Sequence, residues 1–238
     1  MSITPVSIIS LGKKYQQHTV LNDIDLKVDA FEIFSLIGIN GAGKTTLIKC
    51  ILDFHTYDSG EIRLFDISST DTTSRANLAY LPERFLPPYY LNGQQFLNYI
   101  FDLHKTSVDD VAVKQMLSDL DLSKDILKKS VREFSKGMAQ KLGLAALLLL
   151  DKKLLILDEP MSGLDPKARA LVKKQLKLAK EKGKTIFFSS HLLADVEELS
   201  DRIGILHQGK IAFYGTPEEC KQRYQTATLE DAFLHCIA

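Results

Sequence analysis

The sequence lacks an excess of charge of either sign. Thirty Lys and Arg balance thirty Asp and Glu over 238 residues. Net charge therefore gives no footing for nucleic acid or an anionic membrane surface, and no nucleic-acid partner is expected, although a local patch could still bind one. It also lacks a long apolar run. The longest, Leu142 to Leu150, is nine residues between Lys141 and Asp151, far short of the roughly 20 that a spanning helix needs. No basic-then-apolar leader is expected, because MSITPVSIIS is neutral and carries a proline. Cysteines are few: Cys50, Cys220 and Cys236 are odd in number and lack metal-ligand spacing. That fits unpaired structural thiols in a reducing compartment. Internal repeats, linkers and low-complexity segments are missing too. What is left is 45% hydrophobic, ordinary for a soluble protein of one or two domains.

The periodicity of that material changes along the chain. Residues 3 to 28 alternate apolar and polar in short bursts and read as antiparallel strands. FEIFSLIG is more continuous and suits a strand covered on both faces. After the loop that follows, KTTLIKCILDF is helical, GEIRLF reads as an edge strand and NLAYLP as a buried one. Between about 91 and 150 apolar residues recur at helical spacing, which predicts an inserted helical subdomain. KLLILDEP and KTIFFSSH then read as strands on either side of PKARALVKKQLKLAKEKG. That helix has Asp165 placed as N-cap, Pro166 at its first position and Gly183 just past its end. Strand, helix, strand in this order argues a parallel sheet with a right-handed crossover. ADVEELSD is a further helix, RIGILHQGKIAFYG a hairpin turning at Gln208 and Gly209, and residues 216 to 238 a short helical tail.

Chemistry enters with GINGAGKT. Gly38 to Thr45 fits G-x-x-x-x-G-K-[ST] and lies between a predicted strand and a predicted helix. Glycines let backbone N–H groups curl round phosphate oxygens, Lys44 can reach β- and γ-phosphates, and Thr45 can ligate Mg²⁺. The bland alternative is a glycine-rich turn ending in Lys-Thr. LLILDEP delivers two carboxylates at a strand end: Asp158, suited to hold Mg²⁺ beside Thr45, and Glu159, able to orient and deprotonate a water. An Asp-Glu turn after a strand is also common without chemistry. His191 ends FFSSH, where a surface or capping role competes with a functional one, and Ser189 and Ser190 read as caps for the next helix. In EFSKGMAQK a serine, a lysine and a glycine stand at the start of an apolar helix. Such a start is an anion site or simply a capped core helix.

The ordered set GINGAGKT, LPE, FSKGM, LLILDEP, SGLD and FFSSH resembles the nucleotide-binding subunit of ABC (ATP-binding cassette) transporters, from about Leu11 to Gly215. The resemblance implies one ABC ATPase domain over residues 1–238. Its fold would be α/β: a P-loop NTPase core with a parallel sheet, an N-terminal antiparallel β subdomain and an inserted helical subdomain over about 90–150. It implies ATP and Mg²⁺ as ligands. Tyr15 looks like the aromatic that stacks on adenine. Asn40, Gly41, Ala42, Gly43, Lys44, Thr45 and Thr46 look like Walker A, and Asp158 and Glu159 like Walker B and the catalytic glutamate. His191 looks like the switch histidine. Glu83 stands where the family usually has a glutamine; its carboxylate can bind Mg²⁺ but cannot donate as an amide does. FSKGM is similar to the LSGGQ signature, with Ser135 and Gly137 matching. In the family that signature binds the γ-phosphate held by a second subunit, so the resemblance implies an ATPase partner, a copy or a paralogue. It also implies a transmembrane permease and a place on the cytoplasmic face of the membrane. AYLPE, FSKGM and the LEDAFL ending look like exporter ATPases for drugs, lipids or polysaccharides. Two alternatives stand beside this: a soluble ABC ATPase acting on ribosomes or nucleic acid, and an unrelated P-loop kinase or assembly factor.

Overall fold

The computed structural model describes residues 3–238. Met1 and Ser2, which open the stretch read above as no leader, lie outside the described residues. In chain order, β1 (Val6–Tyr15) and β2 (His18–Val28) form the expected antiparallel pair. β3 (Ile33–Ile37) is buried at every position, as its unbroken apolar run predicts. α1 (Lys44–Ile51), β4 (Ser59–Leu64), β5 (Ile67–Ser68) and β6 (Leu78–Leu81) follow. The helical stretch then contains α2 (Gly93–Leu103), α3 (Asp110–Asp119) and α4 (Lys136–Leu149). After it come β7 (Leu154–Leu157), α5 (Pro166–Glu181), β8 (Thr185–Ser190) and α6 (Leu193–Leu199). β9 (Arg202–His207), β10 (Lys210–Gly215), α7 (Pro217–Tyr224) and α8 (Leu229–Ile237) close the chain.

Two sheets result. One is antiparallel with order β2-β1-β4-β5, the other six-stranded with order β10-β9-β3-β8-β7-β6. In the second, every pairing from β9 to β6 is parallel and only β10 runs against its neighbour. One expectation about edges reverses, and the reading of NLAYLP as a buried strand holds. β4 is internal, because the chain turns back at Phe65 and Asp66 (φ 52 and 65) and lays β5 along it. β6 is the outer strand of the larger sheet, yet three of its four residues are buried. Alternation reports which side chains are covered, not whether a strand has one neighbour or two.

The larger sheet separates two apolar clusters. Ile33 and Ile37 of β3, with Leu155, Leu157, Ile186 and Phe188, join α2 to α6 and α8 on one face. Phe34 and Leu36, with Leu154, Ile156 and Phe187, join α1 and the antiparallel sheet on the other. Successive strand residues point to opposite faces, so one short strand feeds both clusters. Each such buried Leu or Phe contributes about 1.5–3 kcal/mol.

Local signals end the elements where expected. Asp165 caps α5 by accepting from the Ala168 N–H at 2.9 Å, Pro166 follows it, and Gly183 lies past the end at φ 85. The β9–β10 turn is Gln208 (φ 46) and Gly209 (φ 74), a pairing that suits a tight primed turn. Its tip is docked: the Asn22 N–H donates to the Gly209 carbonyl at 2.7 Å, and a Cβ on Gly209 would stand 2.8 Å from the Val20 oxygen.

Candidate functional site

The loop between β3 and α1 is shaped by its glycines. Gly43 adopts φ 109, and a Cβ there would lie 3.2 Å from both the Val20 oxygen and Leu21 Cδ2. Every other helix of eight or more residues among those described begins with a side-chain cap; α1 has none. Its first-turn N–H groups and dipole end are left for an anion. Lys44 is buried, and its Nζ donates to the carbonyls of Gly38 at 2.8 Å and Ile39 at 3.3 Å. Glu159 Oε1 stands 3.7 Å from the same ammonium.

The acidic pair comes from the end of β7. Asp158 is 1% exposed; its Oδ2 accepts from Thr45 Oγ1 at 3.1 Å and its Oδ1 from Ser189 Oγ at 2.5 Å. Glu159 turns away from it because its backbone is left-handed, at φ 50. Its N–H donates to Ser189 Oγ at 2.9 Å, and its Oε2 lies 2.8 Å from His191 Nδ1. The His191 side chain is 47% exposed, so the Glu159–His191 contact joins a buried carboxylate to a ring that reaches solvent.

These groups line one cleft of about 630 Å³. Its wall takes in Asn40, Gly41, Gly43, Lys44, Thr45, Thr46, Glu83, Glu159 and His191, with Val20 and Ser162. Asp158 lies beneath, reached through Thr45. On β6 the half-buried Tyr80 phenol is pushed up to about 12, by burial first and then by the negative charges of Asp158 and Glu83. Thr45 Oγ1 and Asp158 Oδ2, side by side, are hard oxygen donors of the type Mg²⁺ takes, so these residues fit that ion.

Other expected residues lie off the cleft wall. Ala42 is buried in the loop. Tyr15 is 42% exposed, its ring edge-on to His55 at 6.0 Å and 5.0 Å from Lys13 Nζ. Ser135 is exposed at the start of α4, its Oγ accepting from the Met138 N–H at 3.2 Å. Gly137 is half-buried within the first turn, and Lys136 folds its chain against Gly163. One residue of the cleft wall, Val20, escaped the sequence reading, and Ser189 behind the wall was read differently. Val20 is one ordinary member of an alternating strand, whereas Ser162 opens the SGLD stretch already singled out for its likeness to the family. Ser189, expected as a helix cap, instead bridges the two acidic residues. Its signal was a hydroxyl at the end of a fully buried strand, which must find partners.

The sequence model of the ABC transporter family matches residues 21–162. An uncharacterised ABC transporter ATP-binding protein of Synechocystis sp. is 39% identical over 203 residues, covering 84% of this chain and 57% of that protein. The chain thus spans little more than half the length of that relative. The lantibiotic transport ATP-binding protein SrtF of Streptococcus pyogenes is 34% identical over 206 residues, covering 87% and 88%. Among solved structures, the ATP-binding subunit of an ABC transporter superposes with a TM-score of 0.88 at 30% identity, covering 97% and 98%. The matched segment runs from the strand beside the phosphate loop to the turn behind the acidic pair, and the chain belongs to the ABC transporter family, among its ATP-binding proteins.

Proposed function

We propose that the chain hydrolyses Mg²⁺-ATP in a pocket completed by a second subunit, a copy or a paralogue, and passes the motion to a separate transmembrane permease. The observation that carries this is the convergence of Lys44, Glu159 and His191 on one cleft while the Ser135–Gly137 helix tip stands free of it. Phosphates would lie on the uncapped start of α1, where Lys44 trades its loop carbonyls for β- and γ-oxygens. Glu159 accepts a proton from water as that water attacks the γ-phosphorus and the bond to the β-phosphate oxygen breaks. His191 steadies Glu159 and meets the γ-phosphate. Thr45 and Asp158, with Glu83 on the same wall, would hold Mg²⁺, which when bound would supply positive charge against the phosphates. Ser135 and Gly137 donate from across the dimer, and Tyr15 offers a face to the base.

The permease surface we assign to the stretch after β6 and the face of α2. Leu86, Tyr89 and Tyr90 are 86%, 60% and 72% exposed, while Phe85 packs inward on Phe96. Contiguous exposed apolar side chains suit an interface. Among the described residues no helix is long and apolar enough to cross a membrane, and the reading places the chain on the cytoplasmic face through its partner. The relative named for lantibiotic transport supports a transport role, and AYLPE, FSKGM and LEDAFL favour export. Glu159→Gln tests the chemistry. Turnover should fall about 10²–10⁴-fold, the usual range for loss of a general base, with ATP binding kept and an ATP-bound dimer accumulating on size exclusion. Hydrolysis at the wild-type rate refutes the assignment.

A further inference from the structure

We propose that Ser189 is a positioning residue for this site, one hydroxyl that sets both the carboxylate facing the metal and the backbone that aims the base. The inference rests on the proposed hydrolysis, but it is carried by contacts that neither a phosphate-loop motif nor an Asp-Glu pair requires.

Ser189 is fully buried at the end of β8. A serine hydroxyl has one proton to give and two lone pairs to receive. The proton goes to Asp158 Oδ1 at 2.5 Å, within the range of hydrogen bonds to an ionised carboxylate. With Oδ1 so held, the other oxygen, Oδ2, is turned toward Thr45 Oγ1 at 3.1 Å, the pair suited to a divalent ion. A lone pair of the same hydroxyl accepts the Glu159 N–H at 2.9 Å. Glu159 sits at φ 50, which residues with a Cβ rarely hold without support. This backbone directs its carboxylate to His191 at 2.8 Å and toward Lys44 at 3.7 Å. Parallel register explains how two distant segments meet: Leu157 is paired with Phe188, which sets Asp158 beside Ser189. Ser190, the next residue, is 2% exposed but accepts only from the Leu192 N–H at 3.0 Å. Two adjacent buried serines therefore have different duties.

The test compares Ser189→Ala, Ser189→Cys and Ser189→Thr. Mn²⁺ binding to the nucleotide complex is read by electron paramagnetic resonance in the Glu159→Gln background, where turnover is suppressed. Nucleotide binding without metal is read with a fluorescent ATP analogue in EDTA. Ser189→Ala and Ser189→Cys should weaken Mn²⁺ about 10- to 100-fold, as loss of a hydrogen bond to an ionised group does. Metal-free nucleotide affinity should stay within about twofold. With Glu159 present, kcat at saturating metal should fall by a similar factor with little change in KM, and Ser189→Thr should restore most of both. Unchanged Mn²⁺ binding in a folded Ser189→Ala or Ser189→Cys overturns the proposal. So does an equal loss of metal-free nucleotide binding, which marks Ser189 as a packing residue. A wild-type chain that binds Mn²⁺ and nucleotide but never hydrolyses ATP overturns the functional reading instead, and the metal titration still reports on Ser189.

Discussion

Gly43 shows how much one position can decide. At φ 109 it lets α1 begin without a cap, and its missing Cβ is what lets β2 approach at Val20 and Leu21. Gly43→Ala should lower nucleotide affinity by at least about tenfold and cost about 1–3 kcal/mol in backbone strain, measured by fluorescent-nucleotide titration and urea unfolding. An alanine variant that binds and unfolds like the parent removes the steric argument. Residues of this kind were legible in the sequence because a phosphate loop is contiguous: spacing alone places Lys44 and Thr45 on the wall of the same cleft. Asp158 and Glu159 were legible for the same reason. Ser189 was not, since its partners are assigned by the register between β7 and β8, and register is written in no short motif. Tyr15 was read from the family pattern, and here its ring rests against His55 and Lys13, off the cleft wall.

Among the elements, helices were easier to place than strand neighbours. Caps are local, so Asp165, Pro166 and Gly183 bracket α5 unaided. The place of β4 within its sheet was misjudged, because the two-residue β5 that covers its free side carries too little pattern to read. β6 is buried as read, and its outer place depends on pairing with β7, far along the chain. The C-terminal helices give an element-scale prediction. Glu197 of α6 accepts from Lys221 of α7 at 2.9 Å and from the Leu229 N–H that starts α8 at 3.1 Å. The Lys221 hydrogen bond, foremost, holds the Glu197 carboxyl below its usual 4.5. A carboxyl lowered by folding stabilises the fold above its unfolded value and loses that contribution as pH falls through the folded one. Attachment of α8 should therefore weaken below about pH 4.5 and not on the alkaline side. Glu197 is 32% exposed, so the loss stays under about 1 kcal/mol. Amide exchange in α8, corrected for intrinsic rates, should quicken as pH falls from about 5 to about 3 in the parent and show no such step in Glu197→Gln.

For the whole molecule, the separation of two clusters by one sheet is the governing fact. α1 belongs to one face and α4 to the other, so the phosphate loop and the Ser135 tip ride on different sides of β3, β7 and β8. The proposed pocket, which needs both, would draw them from two chains. Lys44→Ala and Ser135→Ala protomers, each inactive alone, should regain ATPase activity on mixing, since a mixed pair keeps one complete pocket. A mixture no faster than its separate components rules out sharing across subunits.

The clasp of the β9–β10 turn on β2 also bears on how the protein can be labelled. Surface turns are the usual place for a fluorophore or a fused domain. At Gln208 and Gly209 an inserted segment would break the Asn22 hydrogen bond and press on Val20, which walls the cleft. The Phe65–Asp66 turn joins the outermost strand of the smaller sheet, away from those residues. A reporter attached there leaves the cleft wall untouched.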